Sequence, residues 1–325
     1  MSEEPLIIGT VPESQDHSNK TTNSTDIDFV ESEPTELTLD DNADRLLNEI
    51  HGSGRFSCFA FCSLVTGMNA TGYFFYILSY LIMQPKYDNC VFTDPQPLDS
   101  EAACIADNIC SGQVVSYEID WSNIYSLHNW VEKLDLICCP GWKVALMGSM
   151  VFFGWVVTLP WMPRLSDMYG RKMIFNIGML TDLVMFVFMF YTTNINSMIM
   201  VSFVFGLATT IRLNIGFVYM MELMPKRNQT FYGSIYIVLE GLILLLGTLY
   251  FWFVSKQWIY FTLFGFFLQI FNVITIQFLP ESPRLMVELG RLDEAKASFE
   301  QIATWNGQEL HWNEEDFRRP ATLEN

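Results

Sequence analysis

The chain has 325 residues, half of them hydrophobic, yet it carries a formal net charge of −18 at pH 7. A soluble domain can share those averages, so the distribution along the chain has to decide the class. Three stretches of 20 residues or more hold no charge at all: Ser57 to Met83, Val144 to Pro163 and Gln257 to Leu279. A helix of about 20 residues crosses a hydrocarbon core, whereas buried soluble helices are usually amphipathic and shorter, which excludes an ordinary soluble helical protein. No nucleic-acid partner is expected; the lipid bilayer is.

Residues 1–39 are rich in Glu, Asp, Ser, Thr and Asn, with neither the apolar core of a secretory signal nor an Arg-rich transit pattern. They read as a disordered cytoplasmic tail, and the sequons at Asn19 and Asn23 should go unused. Residues 40–55 follow as an amphipathic helix, since Leu39, Ala43, Leu47 and Ile50 recur at helical spacing. Alone, that pattern fits a plain surface helix equally well.

Six spans are expected, at 56–83, 143–163, 173–193, 197–222, 230–254 and 257–279, the first acting as an uncleaved signal anchor. The apolar stretches of the third, fourth and fifth, Met173 to Thr193, Met198 to Met221 and Phe231 to Val254, hold one charged residue each: Asp182, Arg212 and Glu240. The short connections after the second and fourth spans carry Arg164, Arg171, Lys172, Lys226 and Arg227, which should face the cytoplasm. Both termini then lie on that side, and the loop 84–142 lies on the other. Five cysteines occupy it: Cys90, Cys104, Cys110, Cys138 and Cys139. An oxidising compartment favours disulfides there, with at least one thiol left over and a connectivity that spacing does not reveal. Metal binding is the weaker reading, because no Cys-x-x-Cys or accompanying His is near. Residues 280–325 read as a cytoplasmic linker helix and tail, with Leu292, Ala295, Phe299 and Ile302 on one face behind Asp293 as an amino-terminal cap.

No enzyme constellation is present in the sequence: His17, His51, His128 and His311 are scattered, and there is no phosphate loop. Neither cofactor nor metal is expected. A charge at the bilayer centre costs about 2.5–3.5 kcal/mol on insertion scales, so the three intramembrane charges should face the bundle interior. They serve either as substrate or coupling groups or as a plain internal ion pair between Arg212 and one of the two acids. Asn69, Asn214, Gln269 and Asn272 either contact substrate or bridge helices. The aromatic run Tyr73 to Tyr76 lines a cation-binding cavity or packs against lipid and neighbouring helices.

Leu165-Ser166-Asp167-Met168-Tyr169-Gly170-Arg171-Lys172 resembles the signature loop of the major facilitator superfamily, a short basic turn between two membrane helices. Glu222-Leu223-Met224-Pro225 closes the fourth span as in that superfamily, and Pro280-Glu281-Ser282-Pro283-Arg284 resembles the motif of sugar and organic ion porters. Leu289 to Ala295, Asn306-Gly307, Asp135 to Cys138 before Trp142, and Gly54-Arg55 resemble the organic cation/anion transporters. The resemblance runs from Asp40 to Gly307. It implies an all-α membrane protein of six transmembrane helices, one half of a major facilitator bundle, with a long non-cytoplasmic loop after the first helix.

It further implies gating contacts through Asp167, Gly170, Arg171, Lys172, Glu222, Arg227, Glu281 and Arg284. Arg212 with Gly216 resembles the superfamily's Arg-x-x-x-Gly element, often linked with proton coupling. The implied function is alternating-access transport of small organic ions in the plasma membrane or an endomembrane, with substrate held between two six-span bundles. Pro163, Met168 and Gln229 depart from the family pattern at gate positions. Only the first bundle falls within these residues, so a second copy or another chain is expected to complete the carrier. The alternatives are a non-transporting structural subunit and a fragment of a full-length carrier.

Overall fold

The computed structural model describes residues 38–52, 54–93 and 104–317. The expected tail, except its last two residues, and both sequons lie outside the described residues. Six helices are long and apolar enough to cross a membrane: Arg55–Leu81, Gly141–Thr158, Arg171–Tyr191, Ile195–Glu222, Lys226–Val254 and Trp258–Phe278. They are the first to sixth spans of an all-α, multi-pass membrane protein.

The first span is not one continuous rod. It runs as a helix over Arg55–Ala70 and continues as two short turns, Gly72–Phe75 and Leu78–Leu81. The second and fourth spans pack most closely, because Gly154 and Gly206 let the two backbones touch. A Cβ on Gly154 would come within 3.0 Å of the Gly206 carbonyl carbon, and one on Gly206 would overlap the carbonyl of Val151. Small residues at such crossings replace the hydrophobic drive that lipid removes.

The basic turn expected between the second and third spans is corrected. The second span stops at Thr158, and a new helix, Met162–Tyr169, occupies most of the signature segment. Pro163 sits in its first turn, where a missing amide costs nothing and the fixed φ suits a helix. The reversal is confined to Gly170, at φ 107°. The fourth span carries a π-helical turn, Ile211–Ile215, which holds Arg212 and Asn214. Such bulges are frequent at functional sites, though a second one, Tyr250–Val254, ends the fifth span.

The long loop holds a feature that its mixed composition hides, an antiparallel ribbon of Tyr87–Phe92 against Val114–Ile119. Disulfides join Cys90 to Cys104 and Cys110 to Cys138, leaving the Cys139 thiol free with those of Cys58 and Cys62. The loop also closes helix ends, whose last carbonyls lack helical partners. Asn129 Nδ2 donates to the carbonyls of Tyr80 and Met83, both at 2.8 Å. Lys133 Nζ donates to those of Met189 at 2.7 Å and Phe190 at 3.0 Å. Burial pulls the Lys133 ammonium below the ordinary lysine range.

On the opposite, linker-bearing face, the helix Leu39–Glu49 begins at Thr38, whose hydroxyl accepts from the Asp41 amide. It buries Ala43, Leu46, Leu47 and Ile50 in the same apolar cluster as Ala295, Phe299 and Ile302 of the linker helix Leu292–Asn306. The helix is therefore docked. Asp293 does not cap the linker helix. Arg291 holds that position without a side-chain bond, and Asp293 lies in the first turn, where its charge still faces the helix dipole.

Two apolar clusters fill the bundle, one toward the linker face and one toward the loop face. Five of the six spans pass from one to the other, while the second contributes Met147 and Val151 to the loop-face cluster only. The first crosses between Met68 and Phe74, the third between Met179 and Phe186, the fifth between Tyr236 and Phe251. Asn69, Asp182 and Glu240 fall in those intervals, and Arg212 lies just past Ile211, where the fourth span enters the linker-face cluster.

Candidate functional site

The linker face gathers most of the motif residues. Arg171 reaches Glu222 at 3.1 Å, Asp167 at 2.5 Å and the Ser166 hydroxyl at 2.5 Å. Glu281 accepts from the backbone amides of Lys172 at 2.8 Å and Ser282 at 3.0 Å, placing a carboxylate at the amino terminus of the third span. Lys172 Nζ in turn donates to the carbonyls of Leu279 at 2.5 Å and Gln277 at 3.1 Å, at the end of the sixth span. Arg227 is exposed and joins none of these ion pairs among the described residues.

Arg284, nearly buried, takes a different set of partners. It pairs with Asp40 at 2.9 Å and Asp44 at 2.6 Å, and donates to the Met224 carbonyl at 3.1 Å. Lys226 joins Asp40 and Asp41, each at 2.8 Å. Burial works against ionising Asp40, but the Lys226 hydrogen bond and the Arg284 charge outweigh it and hold the carboxyl below the usual range. The sequence holds a signal for these partners in Asp40 and Asp44, spaced one turn apart on the helix face opposite its apolar stripe. It gives no sign of where the arginine comes from. His51 ties the same region together: Asn228 Nδ2 donates to Nε2 at 3.1 Å, which leaves Nδ1–H to donate to the Ser57 hydroxyl at 3.2 Å.

Two of the departures from the superfamily pattern have local roles or none. Gln229 Nε2 donates to the Met221 carbonyl at 2.8 Å and so closes the end of the fourth span. Met168 is 65% exposed and touches nothing that replaces an arginine.

The second group lies between the apolar clusters. Asp182 is fully buried, and neither carboxylate oxygen has a hydrogen-bond partner in the chain. Arg212 is 2% exposed with its Nε unpartnered, and Asn69 Oδ1, Thr71 Oγ1 and Gln269 Oε1 are in the same condition. Arg212 is near enough to Asp182 to act on it electrostatically, but among the described residues it forms no ion pair with Asp182 or Glu240. The plain internal ion pair is therefore not formed in this structure. Glu240 lies beside the hydroxyls of Tyr76 and Tyr236. Asn214 donates to the Thr210 carbonyl of its own helix at 3.3 Å.

Two of the polar residues bridge helices. Asn272 Nδ2 donates to the Ser63 carbonyl at 2.6 Å, and Gln269 Nε2 to that of Met179 at 3.0 Å. The aromatic run divides: Phe74 is buried against Trp130, Phe186 and Phe205, Tyr73 packs on Phe261 and Phe264, and Tyr76 reaches the polar layer. Tyr236 lies one helical turn before Glu240 on the same span, so spacing signals that contact, whereas Tyr76 comes from the first span and is not singled out by the sequence. Buried polar groups are normally hydrogen-bonded, and these have no partner inside the chain.

Residues 58–316 match the family model described as sugar (and other) transporter. Among similar curated proteins, Organic cation transporter 1 of Caenorhabditis elegans is 26% identical over 58% of this chain and 32% of its own length. Solute carrier family 22 member 2 of Oryctolagus cuniculus is 25% identical over 63% of this chain and 42% of its own. Solute carrier family 22 member 16 of Bos taurus is 24% identical over 60% and 35% respectively. The matched region thus covers less than half the length of each of these relatives. With six spans, the signature segment and the linker motif in place, the chain belongs to the sugar (and other) transporter family of the major facilitator superfamily and is organic cation transporter-like.

Proposed function

We propose that this chain is one half of a carrier for small organic ions, working by alternating access against a second six-span bundle. One observation carries the reading: a layer of buried polar atoms without partners, at the level where the first, third and sixth spans pass between the apolar clusters. Leaving such groups unsatisfied in a membrane interior costs several kcal/mol each, which a structural role does not repay. Arg212, Glu240, Asp182 and Asn69 are the proposed contacts to solute or coupling ion, with Asn214 flanking them on the π-helical turn. The ion pairs of Arg171 and the Glu281 cap are the proposed linker-face gate, made and broken as the bundles rock. Arg284 and Lys226 anchor the docked helix beside it.

The charge asymmetry of the connections supports placing both termini and this gate in the cytoplasm, with the disulfide-bearing loop outside it. Uptake of labelled organic cations and anions into proteoliposomes tests the function. Uptake that disappears in Arg212→Leu and Glu240→Leu is expected; uptake unchanged in both would remove the layer from the mechanism. The exposed Met168 and the carbonyl-capping Gln229 favour a second reading, a subunit that kept the fold for assembly. A stable complex with unrelated proteins and no uptake would select it.

A further inference from the structure

Free cysteine is among the most buried of side chains, packing as a small hydrophobe. Cys58 and Cys62 break that habit together. Both are exposed on the first span, where Arg55, Cys58, Cys62 and Thr66 recur at helical spacing along Arg55–Ala70, a helix whose other faces are mostly buried. The Cys62 thiol interacts with that of Cys58, and both act on the hydroxyl of Tyr232 in the fifth span. The pair thus lies between the first and fifth spans and close to the linker helix, since Phe59 stacks on Trp305.

Helix geometry separates two uses of such a dithiol. Residues four apart hold their Cβ atoms about 5–6 Å from each other, too far for a disulfide, which needs about 3.5–4.5 Å. A metal ion bridging two thiolates at about 2.3 Å per bond sets the sulfurs roughly 4–5 Å apart, which the spacing meets without unwinding the helix. The number of donors then selects the ion. Among the described residues no three His, Cys, Asp or Glu side chains gather, so the four ligands of a structural zinc are absent. A soft ion satisfied by two thiolates is Cu(I).

We propose that Cys58 and Cys62 form a two-coordinate Cu(I) site at the linker-face end of the first span. Binding replaces two S–H bonds by two S–Cu bonds and releases both protons to water, with no electron transferred. The ion and its two thiolates carry one net negative charge, and Arg55 stands one turn away. The site does not depend on the transport reading above.

The test is anaerobic titration of the whole chain in nanodiscs with Cu(I) held by bicinchoninate, whose colour fades as the protein takes the ion. One Cu(I) per chain is expected to transfer, and X-ray absorption at the copper edge should find two sulfur neighbours. Transfer should be lost in Cys58→Ser and in Cys62→Ser alike, because each thiol supplies half of the coordination, and exposed positions tolerate the exchange. Cys139→Ser should take the ion as the unaltered chain does. Transfer that survives either single substitution, copper without two sulfur neighbours, or an unaltered chain that takes no more Cu(I) than the double variant Cys58→Ser with Cys62→Ser overturns the proposal.

Discussion

Glu281, three residues beyond the sixth span's last turn of helix, holds the backbone amide of Lys172 at 2.8 Å and so ties the exit of the sixth span to the entry of the third. Gly170 makes room for it. A Cβ there would lie 2.5 Å from Glu281 Oε2, at a φ of 107° that other residues rarely adopt. Glu281→Ala should lower stability by about 0.5–2 kcal/mol, as the loss of a helix cap does. Gly170→Ala should be costlier, and Glu281→Ala should not fully rescue it, because the backbone strain remains. Thermal melts of the three variants in detergent check this; a fully rescued double variant would contradict it.

The docked helix should be sensitive to acid. Asp40 has a folded value below its ordinary 3.8, so its contribution is present above that pH and is lost as pH falls through the lower folded value. Burial first, and then the Arg227 charge, lower His51 from its ordinary 6.5. Its neutral form fits the fold, so stability should begin to fall below about pH 6.5, where unfolded chains bind the extra proton. Melting temperature against pH should lose the His51 step in His51→Gln and the more acidic step in Asp40→Asn. Unchanged profiles in both would contradict the assignment.

The crossing of the second and fourth spans predicts a contrast between glycines. Gly206→Leu drives a side chain into the Val151 backbone and should cost more than the 1–3 kcal/mol typical of overpacking, roughly a failure to fold. Gly241→Leu, where an added Cβ meets nothing within 4 Å, should be tolerated. The monodisperse fraction on size exclusion measures both.

The sequence carried the spans and the motif residues because their signals are local: long uncharged runs, and words such as Pro280-Glu281-Ser282-Pro283-Arg284. What it hid depends on contacts between distant residues. Nothing near Arg284 announces Asp44, 240 positions earlier. Tyr76 meets Glu240 only because the first and fifth spans pack together. The π-helical turn under Arg212 leaves no compositional trace, and the ribbon of the long loop is short and half polar. Asp293 misled because a good capping residue two positions past the true cap looks like a cap.

In the loop, Cys110→Ser should lower folded yield sharply, since loss of a native disulfide commonly costs 2–5 kcal/mol. Cys139→Ser should leave it unchanged, because that thiol is free. Mass spectrometry of the native protein should find Cys110 joined to Cys138. Free thiols at both would contradict the pairing and the oxidising side proposed for the loop, as would glycan on Asn19 or Asn23.

The central claim, transport by two facing bundles, is tested most directly by the mass of the particle that takes up organic ions. Substrate is proposed to be held between two bundles, as this fold holds it, rather than within one. Native mass spectrometry of the uptake-competent fraction in nanodiscs should therefore find twelve spans' worth of protein, as two copies of this chain, this chain with a partner, or a longer polypeptide. A six-span monomer with the same uptake as a full-length relative would contradict the account.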